Sequence, residues 1–257
     1  MEFFFSQFLS QDDACDLRSL IRLCEEYEDT RLMFSLSDSN GCYFLAREDG
    51  KLISVIAMYP AGFAFECTAA TLPEKRHQGL FAALLSMAEE RFPETDFHFL
   101  TDGNSADASA VLSLFECEPI HKDCMMALDN KKFYSLFPSS SFLLDGMSVV
   151  REDTEDGTVF KAYIRPRYQT VKVPVYTATC AFSPGQGGGC IWGVSTEKAF
   201  RRRGMGKALL CYALNDIFSS GLYKSVILHV DGSNLPAITM YEKIGFSTVQ
   251  NIFYYLY

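Results

Sequence analysis

The chain has 257 residues, of which 48% are apolar, 21% charged and 14% aromatic, the proportions of a folded globular protein and not of a disordered tail. Its net charge of −9 speaks against nucleic-acid binding, which needs basic surface to neutralise phosphates. The nearest approach to a membrane span, residues 52–65, is interrupted by Pro60 and Gly62 and falls short of the roughly 18–20 apolar residues required.

The opening Met1-Glu2-Phe3-Phe4-Phe5-Ser6 carries an acid where a signal peptide carries basic residues, so a cytoplasmic location is expected. Ser10 and Asp13 read as a capping box, and Leu17, Leu20, Ile21, Cys24 and Tyr27 follow at helical spacing, which predicts a first helix. Strands are expected at 42–47, 51–59 and 62–70, a helix at 79–91, a strand at 96–101, a helix at 105–115 and a strand at 119–128. Lys131-Lys132 and Pro138-Ser139-Ser140-Ser141 break the pattern, which places a linker at 131–141 between domains 1–130 and 142–257. Strands near 147–151, 158–164, 171–182 and 189–195 come next, then a helix at 204–219, a strand at 224–231, a helix at 234–243 and a strand at 246–257. Residues 165–167 read as a solvated turn, and the glycine-rich 185–189 as a hairpin tip, since a strand and not a helix follows it.

Nine cysteines, Cys15, Cys24, Cys42, Cys67, Cys117, Cys124, Cys180, Cys190 and Cys211, form an odd set without a C-x-x-C pair. Buried reduced thiols fit this better than disulfides or zinc, and no metal site is expected. Charge is divided unevenly: residues 1–130 hold 9 basic and 23 acidic side chains, and 131–257 hold 14 and 9. An acidic half is joined to a basic one.

The order of elements repeats, and so does one stretch of sequence. Thr71, Arg76 and Gly79 recur 125 residues later as Thr196, Arg201 and Gly204, and Ala83-Leu84-Leu85 recurs as Ala208-Leu209-Leu210. Duplication of a mixed α/β unit is the direct reading. In the second copy the strand-to-helix turn is Arg201-Arg202-Arg203-Gly204-Met205-Gly206, followed by Lys207. Two glycines let backbone approach an anion, and the first helical turn offers free N–H groups and the positive end of its dipole. Downstream, Asn234 reads as an N-cap, Ala237 and Tyr241 share a helix face, and Gly245 ends the helix before Phe246.

These residues resemble the GNAT superfamily of acyl-CoA-dependent N-acyltransferases. Arg201-x-x-Gly204-x-Gly206 matches the family's pyrophosphate loop, and Asn234-x-x-Ala237-x-x-x-Tyr241-x-x-x-Gly245-Phe246 matches its second motif. The resemblance implies two tandem GNAT-like domains, each a splayed central mixed sheet flanked by helices. It implies acetyl-CoA as cofactor, its pyrophosphate on residues 201–207 and its pantetheine arm paired with backbone at Val194, Ser195 and Thr196, with Asn234, Ala237 and Tyr241 also lining the site. Tyr241 matches the family's general acid, and His229, on the strand before Asn234, stands where some relatives place the base. Glu197, Asp231 or a water chain are the alternatives to His229, and a histidine merely filling a sheet face is another. The implied reaction is direct attack of a primary amine, a small molecule or a peptide N-terminus, on the thioester in a ternary complex. The rival reading is a non-catalytic coenzyme A sensor or scaffold. In the first copy Phe81 replaces the last glycine of the turn, where its ring is expected to obstruct a phosphate. Leu112 replaces the tyrosine, Ser105 the asparagine and Glu116 the glycine, so that copy is expected to be structural or acceptor-binding. Monomer and homodimer both stay open.

Overall fold

A strand needs a neighbour before its backbone groups are satisfied, and the choice of neighbours here divides the chain into two units: Met1–Lys122 with Asn251–Tyr257, and Asp123–Gln250. The computed structural model describes residues 1–34, 40–138, 141–164, 176–185 and 188–257, with Tyr176 described in its backbone alone. The expected turn at 165–167 and residues 186–187 of the expected hairpin tip lie outside the described residues, as do 171–175 of an expected strand and 139–140 of the expected linker.

The first unit contains β1 (Glu2–Ser6), α1 (Gln11–Glu28), β2 (Cys42–Glu48), β3 (Lys51–Ala61), β4 (Ala64–Thr71), α2 (Leu80–Arg91), β5 (Asp96–Thr101) and α3 (Ala106–Leu114). The capping box forms: Ser10 Oγ accepts from the Asp13 N–H at 3.0 Å, and the Asp13 carboxylate accepts from Ser10 in return. The buried Leu17, Leu20 and Cys24 of α1 pack on Tyr43, Leu45, Val55 and Ala57. Alternate residues of the same strands, Phe44, Ala46, Ile56 and Met58, pack instead with Leu80, Leu84 and Leu85 of α2 and Leu112 of α3. One sheet is thus covered by α1 on one face and by α2 and α3 on the other, as period-two alternation dictates. β4 and β5 are parallel and pair from Ala64↔Asp96 to Cys67↔Phe99.

The second unit holds residues 123–129 of β6 (Glu118–Asp129), α4 (Asn130–Leu136), β7 (Met147–Thr154), β8 (Gly157–Ile164), β9 (Tyr176–Gly185), β10 (Gly188–Thr196), α5 (Met205–Ser219), β11 (Ser225–Asp231) and α6 (Leu235–Glu242). Its strands run in the order β6-β11-β10-β9-β8-β7. Its helices, α4 through Phe133, α5 through Leu209, Leu210 and Leu214, and α6 through Tyr241, all contribute to one core. Helix α4 lies in the stretch expected as a linker. Asp129 caps it by accepting from the Lys132 N–H at 2.9 Å, and Phe133 is 0% exposed. Seven residues are too few for a helical period to show in sequence.

The duplicated strands are exchanged. The last strand, β12 (Ser247–Leu256), pairs at Phe253–Leu256 with Thr101–His98 of β5, inside the first unit. Residues 123–129 of β6, the matching strand of the first copy, pair with β11 in the second unit. Tyr257 then exchanges backbone hydrogen bonds with Phe97 and donates from its phenol to Glu89 at 2.7 Å. Hydrophobic alternation identifies a strand without naming its partner. Among the described residues no helix is long and apolar enough to cross a membrane.

Both copies end their last helix in the same way. The Phe246 N–H donates to the Tyr241 carbonyl at 3.0 Å, and the Cys117 N–H to the Leu112 carbonyl at 2.9 Å. The left-handed residue before each is Gly245, φ 112°, and Glu116, φ 54°. Glutamate is strained there and glycine is not. Glu116→Gly is therefore expected to stabilise the chain by up to about 1 kcal/mol, and Gly245→Ala, whose Cβ also meets Leu136 Cδ1 at 2.8 Å, to destabilise it by about 1–3 kcal/mol. Urea denaturation of the two variants measures both signs.

Candidate functional site

The site in the second unit is built where β10 hands the chain to α5. Among the described residues β10 pairs with β11 at Cys190↔Ile227 and Ile191↔Leu228, so the ladder ends before Val194. On its other side β10 pairs with β9, with a register shift between Trp192 and Ser195. Gly193 at the shift has φ 59°. A bulge re-aims backbone groups, and here it lies beside Val194, Ser195 and Thr196, the residues expected to pair with pantetheine. The matching β3/β4 ladder of the first unit runs from Ser54↔Thr71 to Ala61↔Ala64 with no such shift. Composition did not reveal the bulge, although a glycine inside an apolar strand is its usual mark.

After β10 the chain makes a short 3-10 turn, Lys198–Phe200, and then passes through Arg202 at φ 59° and Gly204 at φ 78°. The first unit does the same with Pro73–Lys75, His77 at φ 60° and Gly79 at φ 77°. Both glycines are N-caps in the left-handed region, and neither helix has a side-chain acceptor for its first N–H groups. The cradle backbone has thus survived in both copies. Gly206 is required by close packing: a Cβ there would lie 2.8 Å from Thr196 Oγ1 and 3.6 Å from Met240 Sδ. Met205 is buried in the core and anchors the turn.

What separates the copies is charge. Arg76 Nη1 lies 2.8 Å from both Glu28 and Asp107, Lys75 is held by Glu48, and His77 lies 3.7 Å from Asp107. Among the described residues no carboxylate pairs with Arg201, Arg202 or Arg203. Arg201 does carry one fixed contact, Nε to the Thr196 carbonyl at 2.9 Å, which Arg76 repeats to Thr71 at 3.2 Å. That arginine ties turn to strand in both copies, a role the sequence reading missed. The guanidinium of Arg203 lies over Phe200 at 5.8 Å, and Lys207 Nζ lies 5.7 Å from the ring centre of Phe137.

Phe81 was expected to obstruct a phosphate at the turn. Its ring instead packs within the first unit's groove, 5.5 Å from Phe99 and 5.4 Å from Phe115, because the aromatic cluster offers more apolar contact than the solvated turn. Asn234 caps α6, its side chain accepting from the Ala237 N–H at 3.3 Å, and Ser105 caps α3 in the same manner from Ala108 at 2.9 Å.

Tyr241 is 5% exposed and packs on Phe246 with ring centres 5.8 Å apart. Burial, with the neighbouring Cys180 thiol adding to it, pushes its phenol up to about 12. It keeps its proton across the physiological range, as a proton donor must. His229 is exposed on β11, where Val226, Leu228 and Val230 face the core that contains Tyr241. Strand alternation therefore puts His229 on the other face of the sheet, and the two side chains are not in contact.

The sequence matches the acetyltransferase (GNAT) family at residues 7–111 and again at 124–246. The fold is similar to that of the GCN5-related N-acetyltransferase of Sphaerobacter thermophilus, with a TM-score of 0.77 at 15% identity over 99% of this chain and 95% of that one. It is also similar to a tandem GNAT protein from the clavulanic acid biosynthesis pathway, with a TM-score of 0.75 at 12% identity over 100% and 98% of the two chains. A stretch of 62 residues is 40% identical to mycothiol acetyltransferase of Saccharomonospora viridis, covering 24% of this chain and 20% of that protein. The chain thus matches about a fifth of the length of its curated relatives. Two matched segments, carried by two units with the same strand-to-helix turn, lead to one conclusion: the chain belongs to the acetyltransferase (GNAT) family and contains two GNAT-like domains.

Proposed function

We propose that the chain is an acetyl-CoA-dependent N-acetyltransferase whose catalytic domain is the C-terminal copy, residues 142–257, with the N-terminal copy, 1–130, degenerate as a cofactor site. The observation that carries this reading is the uncapped turn at Gly204, flanked by three arginines that have no carboxylate partner among the described residues. Arg201, Arg202, Arg203 and Lys207, with the N–H groups of Gly204, Met205 and Gly206, are the donors for the pyrophosphate. Val194, Ser195 and Thr196, beyond the last β10–β11 pair, offer backbone to the pantetheine arm. Asn234 and Ala237 set the start of α6, which presents Tyr241.

Acetyl-CoA supplies the activated acetyl group, which a primary amine takes by attack on the thioester carbonyl in a ternary complex, leaving an amide and a free thiol. The chain's own groups handle the two protons. Tyr241, un-ionised with its phenol near 12, hydrogen-bonds the departing sulfur and donates to it. His229, exposed on β11 on the face of the sheet opposite Tyr241, takes the proton of the attacking amine through water. A sensor that only bound coenzyme A would have no use for a buried phenol at this position, and that favours turnover. The acceptor is a small-molecule amine or a peptide N-terminus, and acetyl as the acyl group is part of the proposal.

Thiol release from acetyl-CoA across a panel of amines tests the activity; coenzyme A bound tightly without release under any amine would favour the sensor. Tyr241→Phe keeps the ring and its packing, so kcat is expected to fall roughly 10- to 10⁴-fold with the affinity for acetyl-CoA little changed. An unaltered kcat, with chemistry limiting, would remove Tyr241 from the reaction. His229→Ala is expected to lower kcat roughly 10- to 10⁴-fold with the affinity for acetyl-CoA little changed. An unaltered kcat in that variant, with chemistry limiting, would leave the amine proton to another group.

A further inference from the structure

We propose that the groove of the N-terminal unit is a second small-molecule site, one that takes an apolar molecule bearing a single amine. A cavity of ≈ 450 Å³ opens there, within the size range of sites that enclose organic ligands. Its apolar wall is made by Leu80, Phe81, Phe99, Val111, Leu112 and Phe115. Within that wall Leu112 stands where the other copy has Tyr241, and Phe81 packs on Phe99 and Phe115.

The polar end of the cavity fixes the sign of the ligand. From α1 comes Glu28, from the turn Arg76, Lys75 and His77, and from α3 Ser105 and Asp107. Arg76 Nη1 is shared between Glu28 and Asp107 at 2.8 Å each. Ser105 Oγ donates to the other Glu28 oxygen at 2.9 Å, and Lys75 is held by Glu48. Thr30 on the rim is engaged with Asp102, its hydroxyl donating at 2.8 Å. One guanidinium against two carboxylates leaves one negative charge in excess. That excess resides on Asp107, whose side chain is 37% exposed and whose Oδ1 is faced by His77 at 3.7 Å. The starts of α2 and α3 each contribute up to about half a positive charge, which offsets the excess in the field as a whole but leaves Asp107, partly exposed, as the carboxylate that a cation can reach. A pyrophosphate entering here would meet carboxylates already holding the cations it needs. An ammonium would complete the pairing of Asp107 while its apolar body covered the aromatic wall.

Calorimetric titration of the whole chain with 4-phenylbutylamine, 4-phenylbutanol and 4-phenylbutyrate tests the site and the sign of its charge together. The amine is expected to bind one to one and at least tenfold more tightly than the alcohol or the acid. Asp107→Asn is expected to weaken the amine about tenfold and to remove its advantage over the alcohol. Val111→Trp fills the cavity from the α3 wall and is expected to abolish amine binding; circular dichroism melting checks that both variants are folded. Amine binding that survives in Val111→Trp would place the ligand elsewhere, and equal affinity for all three probes would overturn the charge argument. Displacement of the amine by coenzyme A, or no binding of the amine, would also overturn the proposal. None of these readouts depends on turnover, so they stand or fall separately from the assignment of the C-terminal site.

Discussion

Each copy bends from strand to helix through two left-handed residues, His77 and Gly79 in one, Arg202 and Gly204 in the other. In each case the first N–H groups of the helix emerge with no side-chain acceptor. Four such groups at a helix start must find water, a cap or an anion, and the macrodipole biases the choice towards negative charge. The rest of the molecule's chemistry depends on what answers that demand. In the N-terminal unit the chain supplies its own anions, Glu28, Asp107 and Glu48, which neutralise the neighbouring cations. In the C-terminal unit, among the described residues, no carboxylate pairs with Arg201, Arg202 or Arg203. A charge-assisted hydrogen bond contributes about 1.5–3 kcal/mol, so the loss of two changes affinity by roughly two to four orders of magnitude. On the proposed reading, side chains outside the turn, and not its backbone, decide which copy is the cofactor site.

The same logic extends along the groove. Where β10 carries a bulge at Gly193, β4 has a regular ladder, and where α6 presents a buried phenol, α3 presents Leu112. The N-terminal unit holds a cavity whose lining combines an apolar wall with the carboxylates of Glu28 and Asp107. The reciprocal exchange of β6 and β12 between the units means that neither copy's sheet is completed by contiguous sequence. A lesion near residue 255 is therefore a lesion of the N-terminal unit.

Much of this was legible in the sequence because it rests on local rules. The Ser10–Asp13 capping box, the Asn234 cap and the helix end at Gly245 each involve residues a few positions apart, and each is as expected from spacing. The repeat of Thr71-Arg76-Gly79 as Thr196-Arg201-Gly204 announced the duplicated turn. What the sequence withheld are interactions between distant residues. Glu28 and Arg76 are 48 positions apart, and nothing local marks Glu28 as the acid that neutralises the first turn. β1 was hidden because Phe3-Phe4-Phe5 lacks the alternation of a half-buried strand, yet it pairs with β2 along its length. The place of Phe81, the exchange of final strands and the cavity likewise depend on tertiary packing, to which period and propensity are blind.

The central claim is that two copies of one turn yield one cofactor site. Calorimetric titration of the intact chain with coenzyme A tests it most directly, alongside Arg202→Ala/Arg203→Ala, which takes cations from the second turn, whereas those of the first are neutralised by carboxylates. A stoichiometry near one, with affinity lowered roughly two to four orders of magnitude in that variant, is the predicted result; two sites of comparable affinity, or a single site undisturbed in that variant, would contradict the account.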